Sequence, residues 1–410
     1  MKKKFVLVTL TLCLAMSLFT QSILAQAPQT APEEWVEKGY DYQRFKEDGV
    51  TINVYNWGEY ISDGSDFMDV NAAFEELTGI TVNYTTYDTN EALYAKLKSG
   101  GGDYDVIIPS DYMIGKMAKE GMLKPLNFEN IPNFSKIGEV YKKQDYDPDD
   151  KYSVAYTWGT VVLIYNKTMV DEPIDSWSAL WDEKYAGNIL MFDNSRDAFA
   201  LAALTSGLPF NPENIEQIDQ SANKLKEQRT VVQAYVMDQI FDKMQGGEAA
   251  LAPYYAGDAV TMKRSNEDLE AVIPKEGTNY FVDAMCIPVG SEKQEAAEMY
   301  INFMCETQVA LANTQYIGYS TPQKDAEKAL PQEIKNDSLM YPSAEKLEKT
   351  WSFNVLPDEL NQHMDKAWSD MRTDGGDDNG WIIILGLGIA VCVIGFVIWR
   401  TIQKNKKEEY

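Results

Sequence analysis

The sequence predicts an α/β protein of two similar lobes around an interlobe cleft, with one apolar span near the C-terminus. From Thr51 onward, short apolar-alternating runs alternate with stretches of helical spacing, the order that builds mainly parallel sheets with helices on both faces. At 410 residues the chain is long enough for two or three domain-sized units. Trp381 to Trp399 contains no charged residue, and as a helix it would extend roughly 28 Å, close to the apolar thickness of a bilayer.

Along the chain, Lys2, Lys3 and Lys4 precede the apolar run Phe5 to Phe19, and Ala25-Gln26-Ala27 offers a small-residue cleavage pattern. This is the layout of a secretory signal. Residues 28–50 are polar without a clear period and read as a linker. Thr51 to Val54 begins the first strand. Phe67, Val70, Phe74 and Leu77 share a helical face that Gly79 closes, Thr81 to Tyr87 alternates as a strand, and Asn90 to Lys98 is helical. Tyr104 to Pro109 is a buried strand with Ser110 and Tyr112 at its end. The β-rich run Ser153 to Asn166 crosses between lobes, and Ser176 caps a helix through Trp177 and Trp181. Asn188 to Phe192 is a strand leading into the helix Ala198–Leu204, and further βα units continue to Lys263. Leu269–Pro274 and Ala284–Pro288 are strands, and Glu292 to Cys305 is a helix. The acidic, glycine-containing stretch 373–380 is a flexible tether before the span. The basic residues after Trp399 place the tail in the cytoplasm and the folded part outside the cell.

Composition narrows the chemistry. Asp and Glu number 63 against 37 Lys and Arg, net charge −26, which disfavours nucleic acid and favours cations as partners. Four cysteines are too few for a disulfide scaffold. Cys13 and Cys392 lie in the apolar ends, and Cys286 and Cys305 read as two buried thiols. His363 lies on an amphipathic helix without a nucleophile elbow. No histidine or cysteine cluster suggests a metal, and no dinucleotide or phosphate-loop fingerprint suggests a cofactor.

Polar and aromatic residues recur at the ends of the expected strands: Trp57 and Glu59, Ser110 and Tyr112, Asn194 and Asp197, Tyr255 and Asp258, Phe281 and Asp283, and Tyr319. Strand ends are where open α/β sheets hold ligands. A carboxylate pairs with an ammonium, and an aromatic ring covers methylenes or makes a cation–π contact. Together these residues suit a flexible diamine or polyamine. Each also has a plainer role: Asp197 and Asp258 suit helix N-termini, Asp283 a turn, and Phe281 and Trp57 a core. Cleft carboxylates and aromatics also suit sugars, so a carbohydrate-binding receptor or a cleft glycoside hydrolase is the alternative.

The chain resembles the spermidine/putrescine-binding proteins of bacterial ABC transporters. The matching stretches include Tyr55-Asn56-Trp57-Gly58-Glu59-Tyr60, Asn90-Glu91 with Tyr94 to Leu97, Tyr104 to Ser110, Lys116-Met117, Trp177 with Leu180-Trp181, Pro274 to Gly277, and Ile317-Gly318-Tyr319. They run in order over roughly residues 50–372. The resemblance implies a type II periplasmic-binding fold that closes on its ligand, with no catalysis and no cofactor, and a membrane permease with a cytoplasmic ATPase as partner. The expected division is 1–27 signal, 28–50 linker, 51–158 and 283–326 first lobe, 159–282 and 327–372 second lobe, 373–380 tether, 381–399 transmembrane helix and 400–410 tail. By the same resemblance Trp57, Tyr255 and Phe281 match aromatic walls, Tyr112, Tyr319 and Ser110 match further ligand contacts, and Glu59, Asp197 and Asp283 match ammonium-binding carboxylates. Asn194 stands where a spermidine-preferring pattern has a carboxylate, and Asp258 resembles the carboxylate of putrescine-preferring relatives.

Overall fold

Strand order in the computed structural model, which describes residues Pro32–Thr373, follows the alternation read from the sequence. The strands are β1 (Thr51–Trp57), β2 (Thr81–Tyr87), β3 (Val106–Ile107), β4 (Ser153–Asn166) and β5 (Ile189–Phe192). After them come β6 (Val232–Val236), β7 (Leu251–Tyr255), β8 (Leu269–Val272), β9 (Thr278–Cys286) and β10 (Thr350–Trp351). The longer helices are α1 (Val70–Thr78), α2 (Asn90–Lys98), α3 (Asp111–Lys119), α4 (Ser195–Thr205) and α5 (Ile215–Gln228). Those that follow are α6 (Ala256–Ser265), α7 (Gln294–Met304), α8 (Thr307–Ile317) and α9 (Asp358–Thr373). The described chain divides into two compact units, the first comprising residues up to Thr160, Tyr255–Ser265 and Tyr280–Leu347, the second Val161–Tyr254, Asn266–Asn279 and Glu348 onward. Residues 159–160, 255–265, 280–282 and 327–347 thus fall in the first unit, not the second as the sequence-based division has them.

Unit 1 is built on a parallel core in which β1 lies between β2 and β3, extended by β9 antiparallel to β3 and by β4 antiparallel to β9. Its helices start and stop on local signals. Asp69 accepts the Ala72 N–H at 2.9 Å to begin α1, and Gly79 at φ 73° ends it, its N–H donating to the Glu75 carbonyl. Ile52, Val54, Phe74, Val106, Tyr300 and Phe303 are fully buried between sheet and helices. Unit 2 repeats the scheme with β5 parallel to β6 and to β7, and β8 antiparallel to the second half of β4. Strand β4 is buried along its whole length, so its sequence shows a continuous apolar run and no alternation.

Two expectations are corrected. Residues 35–50 are not a linker. Trp35, Val36, Tyr40, Phe45 and Val50 pack on the unit 1 core, and Tyr42 is buried with its hydroxyl donating to Glu306 Oε1 at 2.8 Å. Lys136 holds this segment too, 2.9 Å from Glu37 and 3.2 Å from the buried Glu306. The segment packs through irregularly spaced aromatics, which a search for helical or strand period passes over. The second correction concerns the strand expected at Ala284–Pro288, which is instead β9, Thr278–Cys286. Phe281 and Asp283 therefore lie in a strand interior and not at a turn. Burial of both faces of β9 removes the alternation that would have marked it. Cys286 and Cys305 are free, buried thiols, and burial pushes the Cys305 thiol up to about 12.

Among the described residues no helix is long and apolar enough to cross a membrane. The signal segment, tether, span and tail expected from the sequence lie outside the described residues, apart from Thr373.

Candidate functional site

Unit 1 carries all the candidate residues except Asn194 and Asp197. Trp57 closes β1 in register with Tyr87 of β2, and both reach the carbonyl oxygen of Ile108 just past β3: Trp57 Nε1 donates at 2.9 Å and the Tyr87 hydroxyl at 2.7 Å. Their rings pack at 4.6 Å between centroids. One carbonyl thus fixes the indole by its nitrogen edge and leaves the half-buried Trp57 ring as a wall. Glu59 follows at a left-handed φ of 49° and is exposed, a conformation rare outside glycine and asparagine that turns the chain sharply after the strand.

Tyr60, the next residue, is almost fully buried, and its hydroxyl donates to Asp283 Oδ2 at 2.6 Å while also meeting Thr157 Oγ1. Thr157 lies opposite Asp283 across the β4–β9 ladder, just past a register shift between Ala155 and Thr157. The backbone of Asp283 also bridges to Ser110. Asp283 is 4 % exposed, and its Oδ1 has no hydrogen-bond partner. Burial is the main cause that pushes its carboxyl up to about 6, with the hydroxyls of Tyr60 and Ser110 drawing it back. Neighbouring Tyr87 is held well above its usual range, first by burial and then by the Asp283 charge.

Ser110 stands at the N-cap position of α3 but does not cap it. Its Oγ accepts from Asn90 Nδ2 at 3.0 Å, and its N–H donates to Asn90 Oδ1 at 3.1 Å. Tyr112, in the first turn of α3, donates its hydroxyl to Glu91 Oε1 at 2.9 Å.

The remaining residues form a second group. Tyr255 at the end of β7 meets Phe281 edge to face at 5.5 Å, Phe281 meets Tyr319 at 6.2 Å, and Tyr319 meets Tyr60 at 4.8 Å. The Tyr319 hydroxyl donates to Asp258 Oδ2 at 2.8 Å from the first turn of α6. The Tyr319 ring lies on Gly257, where an added Cβ would stand 2.0 Å from it, so only glycine admits the ring there. Aromatic rings and carboxylates thus alternate through unit 1, an arrangement that attracts organic cations.

In unit 2, Asn194 is the N-cap of α4, its Oδ1 accepting from the Arg196 N–H at 2.9 Å and the Asp197 N–H at 3.4 Å. Its side-chain oxygen is thus committed to the cap. Asp197, in the same first turn, is a 4 % exposed carboxylate. Sequence reasoning missed Tyr60, Thr157, Tyr87, Asn90 and Glu91 as members of the site. For Tyr60 a signal existed, since it belongs to the same hexapeptide as Trp57 and Glu59. For Thr157 none did, because a strand register alone places it opposite Asp283. Among the described residues no group of three or more His, Cys, Asp or Glu could hold a metal ion.

The spermidine/putrescine-binding periplasmic protein of Escherichia coli is 34 % identical over 312 residues, 75 % of this chain and 88 % of that one. A putative spermidine/putrescine ABC transporter structure from Listeria monocytogenes is 35 % identical with a TM-score of 0.75, covering 78 % of this chain and 98 % of its own. The spermidine/putrescine ABC transporter substrate-binding protein of Streptococcus pneumoniae, solved with calcium and HEPES, is also 35 % identical, with a TM-score of 0.66 over 79 % of this chain and 99 % of its own. Residues 70–342 match the bacterial extracellular solute-binding protein family, and the chain belongs to that family.

Proposed function

We propose that this protein is an extracytoplasmic receptor that captures polyamines, putrescine or spermidine or both, and delivers them to an ABC permease without catalysing a reaction. The observation that carries this reading is Asp283, a carboxylate buried among tyrosines with one oxygen held by Tyr60 and the other without a hydrogen-bond partner. A buried carboxylate oxygen without a donor is unfavourable unless a ligand supplies one, and a primary ammonium brings three. The relatives named for spermidine and putrescine support the same ligand class. Trp57, Tyr255, Phe281 and Tyr319 would cover the methylenes, with Glu59, Ser110, Tyr112 and Asp258 as further polar contacts. Asn194 and Asp197 are proposed as further ligand contacts. Asp258, held by Tyr319, favours putrescine or mixed specificity.

The charge-free run Trp381–Trp399 and the basic tail support a single C-terminal anchor with the ligand-binding part outside the cell. A tether would keep the receptor at high effective concentration near its permease. The test is calorimetric titration of the full chain in detergent micelles with putrescine, spermidine and a neutral sugar. One-to-one saturable heat with a polyamine and none with the sugar is expected. Silence with both polyamines from a folded sample refutes the assignment.

A further inference from the structure

The start of α2 presents two side chains that its own helix does not use for capping. Thr89 already caps α2, its hydroxyl accepting the Ala92 N–H at 3.1 Å. Asn90 and Glu91 reach instead to the start of α3, Asn90 to Ser110 and Glu91 to Tyr112. A backbone N–H can only donate, so the Ser110 N–H fixes the Asn90 amide with its oxygen inward and its nitrogen towards Ser110 Oγ. The Ser110 hydroxyl must then accept there and send its own proton elsewhere. A hydroxyl can donate or accept, but a carboxylate only accepts. Beside Glu91, the Tyr112 hydroxyl is therefore the donor, and towards any further partner its oxygen can act only as an acceptor.

We propose that Glu91 is a positioning residue for ligand capture, taking the Tyr112 hydroxyl proton so that the phenol oxygen meets the ligand only as an acceptor. This rests on the polyamine reading, and it adds a reason for choosing ammonium groups over hydroxyl-bearing ligands. An ammonium has donors alone and suits such an oxygen, whereas a sugar hydroxyl loses the donor it would otherwise find. The same pattern recurs in unit 1, where Tyr60 donates to Asp283 and Tyr319 donates to Asp258. The plainer role of Glu91, an acidic residue in a helix first turn, would act on α2 whether or not Tyr112 has a hydroxyl.

That difference is the test. Glu91→Leu and Glu91→Gln are each made in the wild-type and the Tyr112→Phe backgrounds of the full chain, and putrescine and spermidine affinities are measured by calorimetry beside thermal midpoints. Losing about one ordinary hydrogen bond's worth of phenol orientation predicts binding about five- to tenfold weaker for Glu91→Leu. Glu91→Gln, whose amide oxygen still accepts, should stay within about twofold of wild type. In the Tyr112→Phe background neither variant should matter, because coupling through one contact is not additive. An equal loss in both backgrounds overturns the inference, as does a Gln variant as weak as the Leu variant. If Glu91→Leu does not fold, Glu91→Ser, too short to reach the phenol, takes its place. A wild-type chain that binds neither polyamine overturns the receptor reading and this inference with it, whereas wild-type binding with additive variants overturns this inference alone.

Discussion

Lowering the pH from 7.5 to 5 should weaken polyamine binding about tenfold, through Asp283. Its carboxyl is pushed up to about 6, chiefly by burial. A ligand ammonium needs the carboxylate charged. Below the folded value, affinity falls by roughly a factor of ten per pH unit, and at pH 7.5 almost all of the group is already charged. Alkylamines titrate near a lysine side chain, at about 10, so the ligand keeps its charge across this range. The sign for stability is opposite. Because the folded value lies above the ordinary 3.8, the unliganded fold holds this proton more tightly than the unfolded chain does. Its contribution to stability therefore rises as pH falls through 6 towards 4, by about 3 kcal/mol in total. The assay is calorimetry at pH 5, 6 and 7.5 in pairs of buffers with different ionisation heats, which counts protons released on binding. About half a proton per ligand is expected near pH 6 and almost none at 7.5. Asp283→Asn should bind about 30- to 1000-fold more weakly and should lose both the pH dependence and the proton release. An affinity flat within twofold from pH 5 to 7.5, with no proton release at pH 6, refutes the reasoning.

Three further outcomes follow from packing. Gly257→Ala places a methyl 2.0 Å from the Tyr319 ring, so thermal unfolding should show a loss of about 1–3 kcal/mol, and calorimetry should show weaker binding as the Tyr319–Asp258 contact breaks. Lys136→Met leaves Glu306 buried without its cation and should cost about 3–5 kcal/mol in denaturant unfolding; limited proteolysis should then find residues 35–50 released. Cys286 and Cys305 are buried, and burial raises both thiols, so a thiol reagent should label neither until the protein unfolds; rapid labelling of the native chain would contradict their placement.

Local signals made much of unit 1 legible. Alternating Val82, Tyr84 and Thr86 mark β2 and Gly79 ends α1, because a glycine stop and strand alternation act over a few residues and leave their trace in the chain. Strand β9 was less legible since both its faces are buried, and the segment around Tyr42 because aromatics can pack without a period.

The same distinction separates the site into two parts. From sequence alone came its inventory, Trp57 beside Glu59 at a strand end and carboxylates paired with aromatics in an acidic chain, because residue type and nearness to a turn are local properties. Tertiary structure decided what each group does. The β4–β9 ladder sets Thr157 opposite Asp283 and buries the carboxylate that Tyr60 holds, a contact between residues more than two hundred positions apart. Asn194 proved to be a helix cap, and Glu91 met Tyr112 only when α2 and α3 came together. Hydrogen-bond sense and desolvation depend on neighbours brought from distant parts of the chain, so no local pattern could record them.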